Sequence, residues 1–176
     1  MHAVSYPDTP FDAPAVGLDE LALEPVHALA VRYAHGHAPE DLRSLPSDPV
    51  GRMLAIRYAD WGRVGEALRA LAGSARFPWD GKSFQGHSAT AGEGINRVHL
   101  LGRHRWFRFE TRRAPSVMDG RPCVVLDYDL PENPGFIRKI HDEIREVAPG
   151  VMLGPAMWRG PAGPALVLWF GLSAAR

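Results

Sequence analysis

Asp119–Gly150 reads DGRPCVVLDYDLPENPGFIRKIHDEIREVAPG. Asp119-Gly120 marks a turn, and Cys123–Leu130 follows as an apolar strand. Asn133 then serves as a helix cap with Pro134 at the first helical position. Phe136, Ile140, Ile144 and Val147 recur at helical spacing until Pro149-Gly150 ends the run. The stretch therefore reads as turn, strand, turn, capped helix, turn. Asp127 and Asp129 interrupt the strand. A carboxylate there must be solvated, paired or functional, because an unpaired buried charge is costly.

Working outward, the C-terminal side offers strands at Val151–Met157 and Ala165–Leu172. The second is apolar on both faces: Val167 and Trp169 point one way, Leu168 and Phe170 the other. Both sides of that sheet must then be covered. On the N-terminal side the spacing predicts strands at Lys82–Ser88, Ile95–Leu101 and His104–Arg112, with Gly102-Arg103 as a tight turn. Short strands at regular spacing favour an antiparallel sheet or a small barrel.

The first half carries helical periods instead. Leu21, Leu29 and Tyr33 share a stripe between Leu18 and Ala34, where Pro25 ends a first turn or starts the main helix. Pro39–Leu45 suits a short helix. Asp48-Pro49 reads as a further helix start, leading into Met53, Leu54 and Ile56. Asp60 caps another, with Val64, Leu68 and Leu71 running to Gly73. The fold class expected is α+β: a small antiparallel β-barrel or strongly curved sheet, an N-terminal helical segment, and one helix between late strands. Residues 1–16, with Pro7, Pro10 and Pro14, form an extended mobile arm; 17–75 form the helical segment; 76–176 form the β domain.

At 176 residues and 45% hydrophobic content the chain is sized for one domain with a normal core. Twenty basic residues balance twenty acidic ones, so nothing electrostatic points to nucleic acid or an anionic membrane. There is no secretory leader pattern and no run of about 18 apolar residues, and a cytoplasmic location is the default. Cys123, alone, excludes an intramolecular disulfide and suits a small buried hydrophobe.

Alternation sorts the polar residues. Cys123, Val125, Asp127 and Asp129 share one face, and Tyr128 lies on the other with Val124 and Leu126. Arg97, Arg108, Glu110, Asp127 and Asp129 can make a polar cavity or an outer face laced with ion pairs. Lys82 follows Trp79-Asp80-Gly81, and the glycine lets the chain bring the ammonium under the indole. Its partners are Asp127, Asp129 or Asp142. Asp142 and Arg145, three apart on the expected helix, form an ordinary surface pair or brace the sheet edge.

Candidate acid/base groups are Tyr128, Asp129 and Lys82. Candidate ligand-facing aromatics are Trp79, Trp106, Phe107, Phe109, Tyr128, Trp158 and Trp169. Structural ion pairs fall to Lys82, Arg97, Arg108, Asp127, Asp129, Asp142 and Arg145. No cofactor or metal is expected; His87, His99 and His104 are the set from which a metal or haem site would be built.

Trp79-Asp80-Gly81-Lys82-Ser83-Phe84 resembles the W-x-G-K-x-F box of a family of bacterial and plant proteins of unknown function described by a G-x-W-x-G motif. Tyr128-Asp129, Asp142 with Arg145, and Leu153-Gly154 with Met157 follow in an order similar to its Y-D, D-x-x-R and L-G-x-M elements. The G-x-W-x-G motif itself is absent; Trp61-Gly62 stands upstream instead. The resemblance implies a small lipocalin-like β domain and brings no reaction.

Three functions follow as expectations. The first is a lipocalin-like barrel binding a small, largely apolar molecule. The second is a cofactor-free isomerase, cyclase or lyase acting on a hydrophobic metabolite. The third is an interaction module that grips a partner through the N-terminal helices. Oligomeric state is not legible.

Overall fold

A computed structural model describes residues 16–56, 79–99 and 101–174. These form eight antiparallel strands: β1 (Val50–Ile56), β2 (Trp79–Gly86), β3 (Ala91–His99), β4 (Arg103–Pro115), β5 (Pro122–Asp127), β6 (Ile140–Ala148), β7 (Val151–Gly160) and β8 (Gly163–Ser173). Each pairs with the next, and β8 returns to β1 to close a barrel. Two helices, α1 (Leu18–Leu21) and α2 (Val26–His35), pack outside it. The fold is α+β, a small lipocalin-like barrel. Among the described residues no helix is long and apolar enough to cross a membrane. The arm up to residue 15 and the helix expected from Asp60 to Gly73, with Trp61-Gly62, lie outside the described residues.

Two cores follow from strand alternation. Phe84, Phe109, Val124, Leu126, Tyr128, Ile144, Met152, Phe170 and Leu172 fill the barrel. Trp169 and Leu153 point outward and are buried beneath Leu21, Leu29 and Tyr33 of the helices. This explains the two-sided apolar β8: one face fills the barrel, the other seats the helices. It also covers the Leu21–Tyr33 stripe that a partner would have gripped.

One end of the barrel is plugged. A 3-10 turn at Leu42–Ser44, capped by Asp41 accepting from the Arg43 amide at 2.8 Å, inserts Leu42 and Leu45 into the inner core. Gly86 makes room for it, since a Cβ there would lie 2.5 Å from the Leu42 carbonyl oxygen. At the β1–β2 seam Val50 pairs with Gly81, whose φ is +123°. A Cβ at Gly81 would run into the Pro49 carbonyl and lie 2.6 Å from the Gly51 nitrogen, so the turn before Lys82 requires glycine.

Two expectations are overturned. Met53, Leu54 and Ile56 belong to a strand, β1, that closes the barrel against β8, so the barrel begins within the stretch 17–75 expected to be helical. The helix expected from Asn133 to Val147 is a 3-10 turn at Ile137–Lys139 followed by β6. Ile140, Asp142 and Ile144 face the barrel interior, while His141, Glu143 and Arg145 face outward but are buried. With both faces covered, the period of two is hidden, and the apolar residues fall by chance at helical spacing.

Candidate functional site

Beyond the plugged half, toward the end where β1 stops and β2 begins, the described residues leave a pocket in the interior. A cavity of about 270 Å³ is walled by Met53, Val98, Phe107, Ile140, Leu168 and Phe170, with Ile137 and Ala156 beside them. At its base sit four polar side chains: Lys82 of β2, Asn96 of β3, Tyr128 just past β5, and Asp142 of β6. Register explains their meeting, since Lys82 pairs with Asn96, and Leu126, two residues before Tyr128, pairs with Asp142.

Lys82 Nζ donates to Tyr128 Oη at 2.6 Å, to Asn96 Oδ1 at 3.0 Å and to Asp142 Oδ2 at 3.0 Å. Tyr128 Oη donates to Asp142 Oδ2 at 3.2 Å. The Asn96 amide donates to Tyr128 Oη at 3.1 Å and to the Phe107 carbonyl at 3.3 Å, while its oxygen also accepts from Trp79 Nε1 at 3.1 Å. Lys82 and Asp142 are each only 3% exposed. The ammonium lies 5.0–5.4 Å from the ring centroids of Phe170, Phe109, Tyr128 and Trp79, and their faces offset part of its lost hydration. Burial pushes the Lys82 amine below its ordinary value, against the pull of Asp142. Burial first, and then the Asp142 carboxylate, pushes the Tyr128 phenol well above 10. The cluster is a desolvated ion pair bridged by a neutral phenol, facing an apolar chamber.

The bulge in β4 shapes one wall. Ile95 pairs with Arg108 and Asn96 with Trp106, leaving Phe107 unpaired at φ +61°. A phenylalanine held there costs about 1–3 kcal/mol. The bulge also breaks the alternation expected of this strand, so Trp106 does not share a face with Arg108. It is 39% exposed and stacks on His104 at 4.7 Å.

A second polar network lies outside the barrel, under α2. Glu143, fully buried, accepts from Tyr33 Oη at 2.8 Å, Ser116 Oγ at 2.5 Å, the Val117 amide at 2.8 Å and His141 Nε2 at 3.1 Å. Arg159 donates to His141 Nδ1 at 3.2 Å, which leaves the ring proton on Nε2. Burial alone raises the Glu143 carboxyl, but these hydrogen bonds outweigh it and hold the group below its ordinary value. Arg145 grips Asp119 with two bonds of 2.7 Å and lies over the Tyr33 ring at 4.3 Å. Cys123 lies under the same cover, and burial, then Glu143, pushes its thiol up to about 12.

Of the expected acid/base groups, Lys82 and Tyr128 meet in the cavity and Asp129 does not. Asp129 is exposed and paired with Arg138 at 2.7 Å. Asp142, expected on a helix surface, is the carboxylate inside, and Arg145 lies on the opposite face of the same strand. Among the aromatics, Trp79, Phe107 and Tyr128 line the cavity, and Phe109 packs beneath it. Trp169 faces the helices. Trp158 is 40% exposed beside Lys139.

The residues Arg97, Arg108, Asp127 and Asp129 form the outer face. Arg108 meets Glu93 at 2.5 Å, Asp127 meets Arg159 at 2.8 Å, and Arg97 binds the Pro49 carbonyl. His99 pairs with Asp80 at 2.7 Å and His87 with Glu93 at 3.9 Å. Among the described residues no group of three histidine, cysteine or acidic side chains gathers to hold a metal. Asn96 was not anticipated from sequence. Its signal was a lone amide on the Gly94–Val98 face, opposite Ile95, Arg97 and His99.

The chain is thus a closed eight-stranded antiparallel barrel whose interior holds a polar cluster in an apolar chamber, a fold compatible with small-molecule binding. It matches no family model and no curated protein. A crystal structure of a protein from Thermomonospora curvata is similar to it, with a TM-score of 0.51, 15% sequence identity, and coverage of 87% of this chain and 89% of that one. At that identity the likeness carries the fold alone.

Proposed function

We propose that this barrel binds a small, largely apolar molecule. The observation that carries the reading is the chamber itself. Its walls are aliphatic and aromatic, its polar groups converge at one base, and its volume equals about nine liquid waters at ~30 Å³ each. A concave apolar pocket with a few convergent polar groups is the form that small-molecule sites take. The test is fluorescence titration with 1-aminonaphthalene, whose emission shifts to the blue in apolar surroundings. The unmodified protein is expected to produce the shift. Ala156→Phe, which places a ring in the chamber, is expected to abolish it while far-ultraviolet dichroism stays unchanged. A shift that persists in Ala156→Phe, or never occurs, overturns the reading.

One observation favours a second reading, a cofactor-free isomerase, cyclase or lyase. Asp142, a carboxylate whose Oδ1 has no hydrogen-bond partner, lines the apolar chamber, a position from which it can take a proton from a bound molecule. Where the proton moves to or from carbon, such chemistry washes solvent deuterium into the ligand; otherwise it changes the ligand's structure. A ligand recovered from deuterated buffer with unchanged mass and unchanged chromatographic retention leaves binding as the function.

A further inference from the structure

The four polar groups at the base of the chamber can be counted valence by valence. Lys82 has three protons, and all three are donated, to Tyr128, Asn96 and Asp142. Asn96 uses both amide protons, and its oxygen accepts twice. Tyr128 accepts twice, and its single proton points to Asp142 Oδ2 at 3.2 Å with Asn96 Oδ1 the more distant alternative at 3.4 Å. Asp142 Oδ2 accepts from Lys82 and Tyr128. One atom is left: Asp142 Oδ1 is buried and has no hydrogen-bond partner, on a side chain that lines the chamber. The open valence of the site is therefore an acceptor, carried by an ion pair of zero net charge.

We propose that the chamber selects a small neutral apolar molecule bearing a hydroxyl group, which donates its proton to Asp142 Oδ1. This deepens the binding reading above and rests on it. A carboxylate or phosphate ligand finds no free donor at the base and meets the bare lone pairs of Asp142. A cationic ligand would have to settle beside the Lys82 ammonium, which already lies 3.0 Å from Asp142 Oδ2. A wholly apolar ligand leaves the buried oxygen unsatisfied, which is the expensive outcome. A hydroxyl completes the network without adding charge. Lys82, the group a sequence reader would assign to an anion, is already saturated within the protein.

The test is isothermal titration calorimetry of the unmodified protein at pH 7 with three ligands of one shape: 4-ethylphenol, ethylbenzene and 4-ethylbenzoate. The phenol is expected to bind about tenfold or more tightly than ethylbenzene, since a hydrogen bond to a charged acceptor separates them. The benzoate is expected to give no heat of binding. Benzoate binding equal to or tighter than the phenol overturns the proposal. So does ethylbenzene binding as tightly as the phenol, which would leave the apolar chamber intact as a binding site. Failure of both uncharged ligands removes the binding reading itself. Ala156→Phe must abolish the phenol signal; if it does not, the phenol is bound elsewhere and the assignment to Asp142 falls.

Discussion

Lys82 and Asp142 are the residues on which the interior turns. Each is an ion that water would hold better than protein, and each is retained by the other and by Tyr128 and Asn96. Removing one partner strands a charge, which costs about 3–5 kcal/mol, whereas replacing both by apolar groups is far cheaper. Lys82→Met is therefore expected to lower the urea-unfolding free energy by that amount. The double variant Lys82→Met/Asp142→Leu should regain about half of the loss or more. If the double variant is less stable than the single, the pair is not the coupled unit the geometry describes. In the sequence Lys82 stands out as a lysine after Trp-Asp-Gly and Tyr128 as a tyrosine inside an apolar strand, and the barrel brings the two together at 2.6 Å. The carboxylate was left open among Asp127, Asp129 and Asp142 as the partner of Lys82; the barrel brings Asp142 to it and leaves Asp129, the acid/base candidate, in solvent with Arg138.

Among the elements, β6 shows how sequence misleads and why. A run with His141, Asp142, Glu143, Arg145 and Glu146 looks like the wet side of a helix. In the barrel a spacing of three places Asp142 inside and Arg145 outside, where a helix would have put them together. The outer face is dry because α2 and the Ser116–Arg121 turn cover it, and Glu143 is held there by four donors. Glu143→Gln is expected to cost about 2–4 kcal/mol, as the network loses its charge. The pH dependence follows from the sign of the shift. The folded carboxyl lies below the ordinary 4.5, so its contribution is full above that value and is lost as pH falls through the folded value. Urea midpoints measured from pH 7 down to pH 3 should therefore fall less steeply in Glu143→Gln than in the unmodified protein. Parallel slopes would show that Glu143 keeps no such preference.

At the scale of the whole molecule, the Leu42–Ser44 turn seals one end of the barrel, and toward the other the described residues line a pocket. Gly86 permits the seal. A Gly86→Val substitution drives a side chain into the Leu42 carbonyl, and is expected to cost about 1–3 kcal/mol by overpacking and to raise the amide hydrogen exchange of Leu42 and Leu45. Unchanged exchange at those amides would mean the turn adjusts without opening.

What the sequence determined by itself is the class of architecture. Regular short strands and glycine and proline turns point to a small antiparallel barrel or strongly curved sheet, and the two-sided apolar β8 requires cover on both faces, because a strand without alternation is buried on both sides. What only the tertiary structure decided is where the barrel starts and which polar groups meet inside it. The pairing of β1 with β8 joins residues more than a hundred positions apart, and no local period records it. The meeting of Lys82, Asn96, Tyr128 and Asp142 depends on register from β2 through β6. A one-residue slip would send any of them to the opposite face.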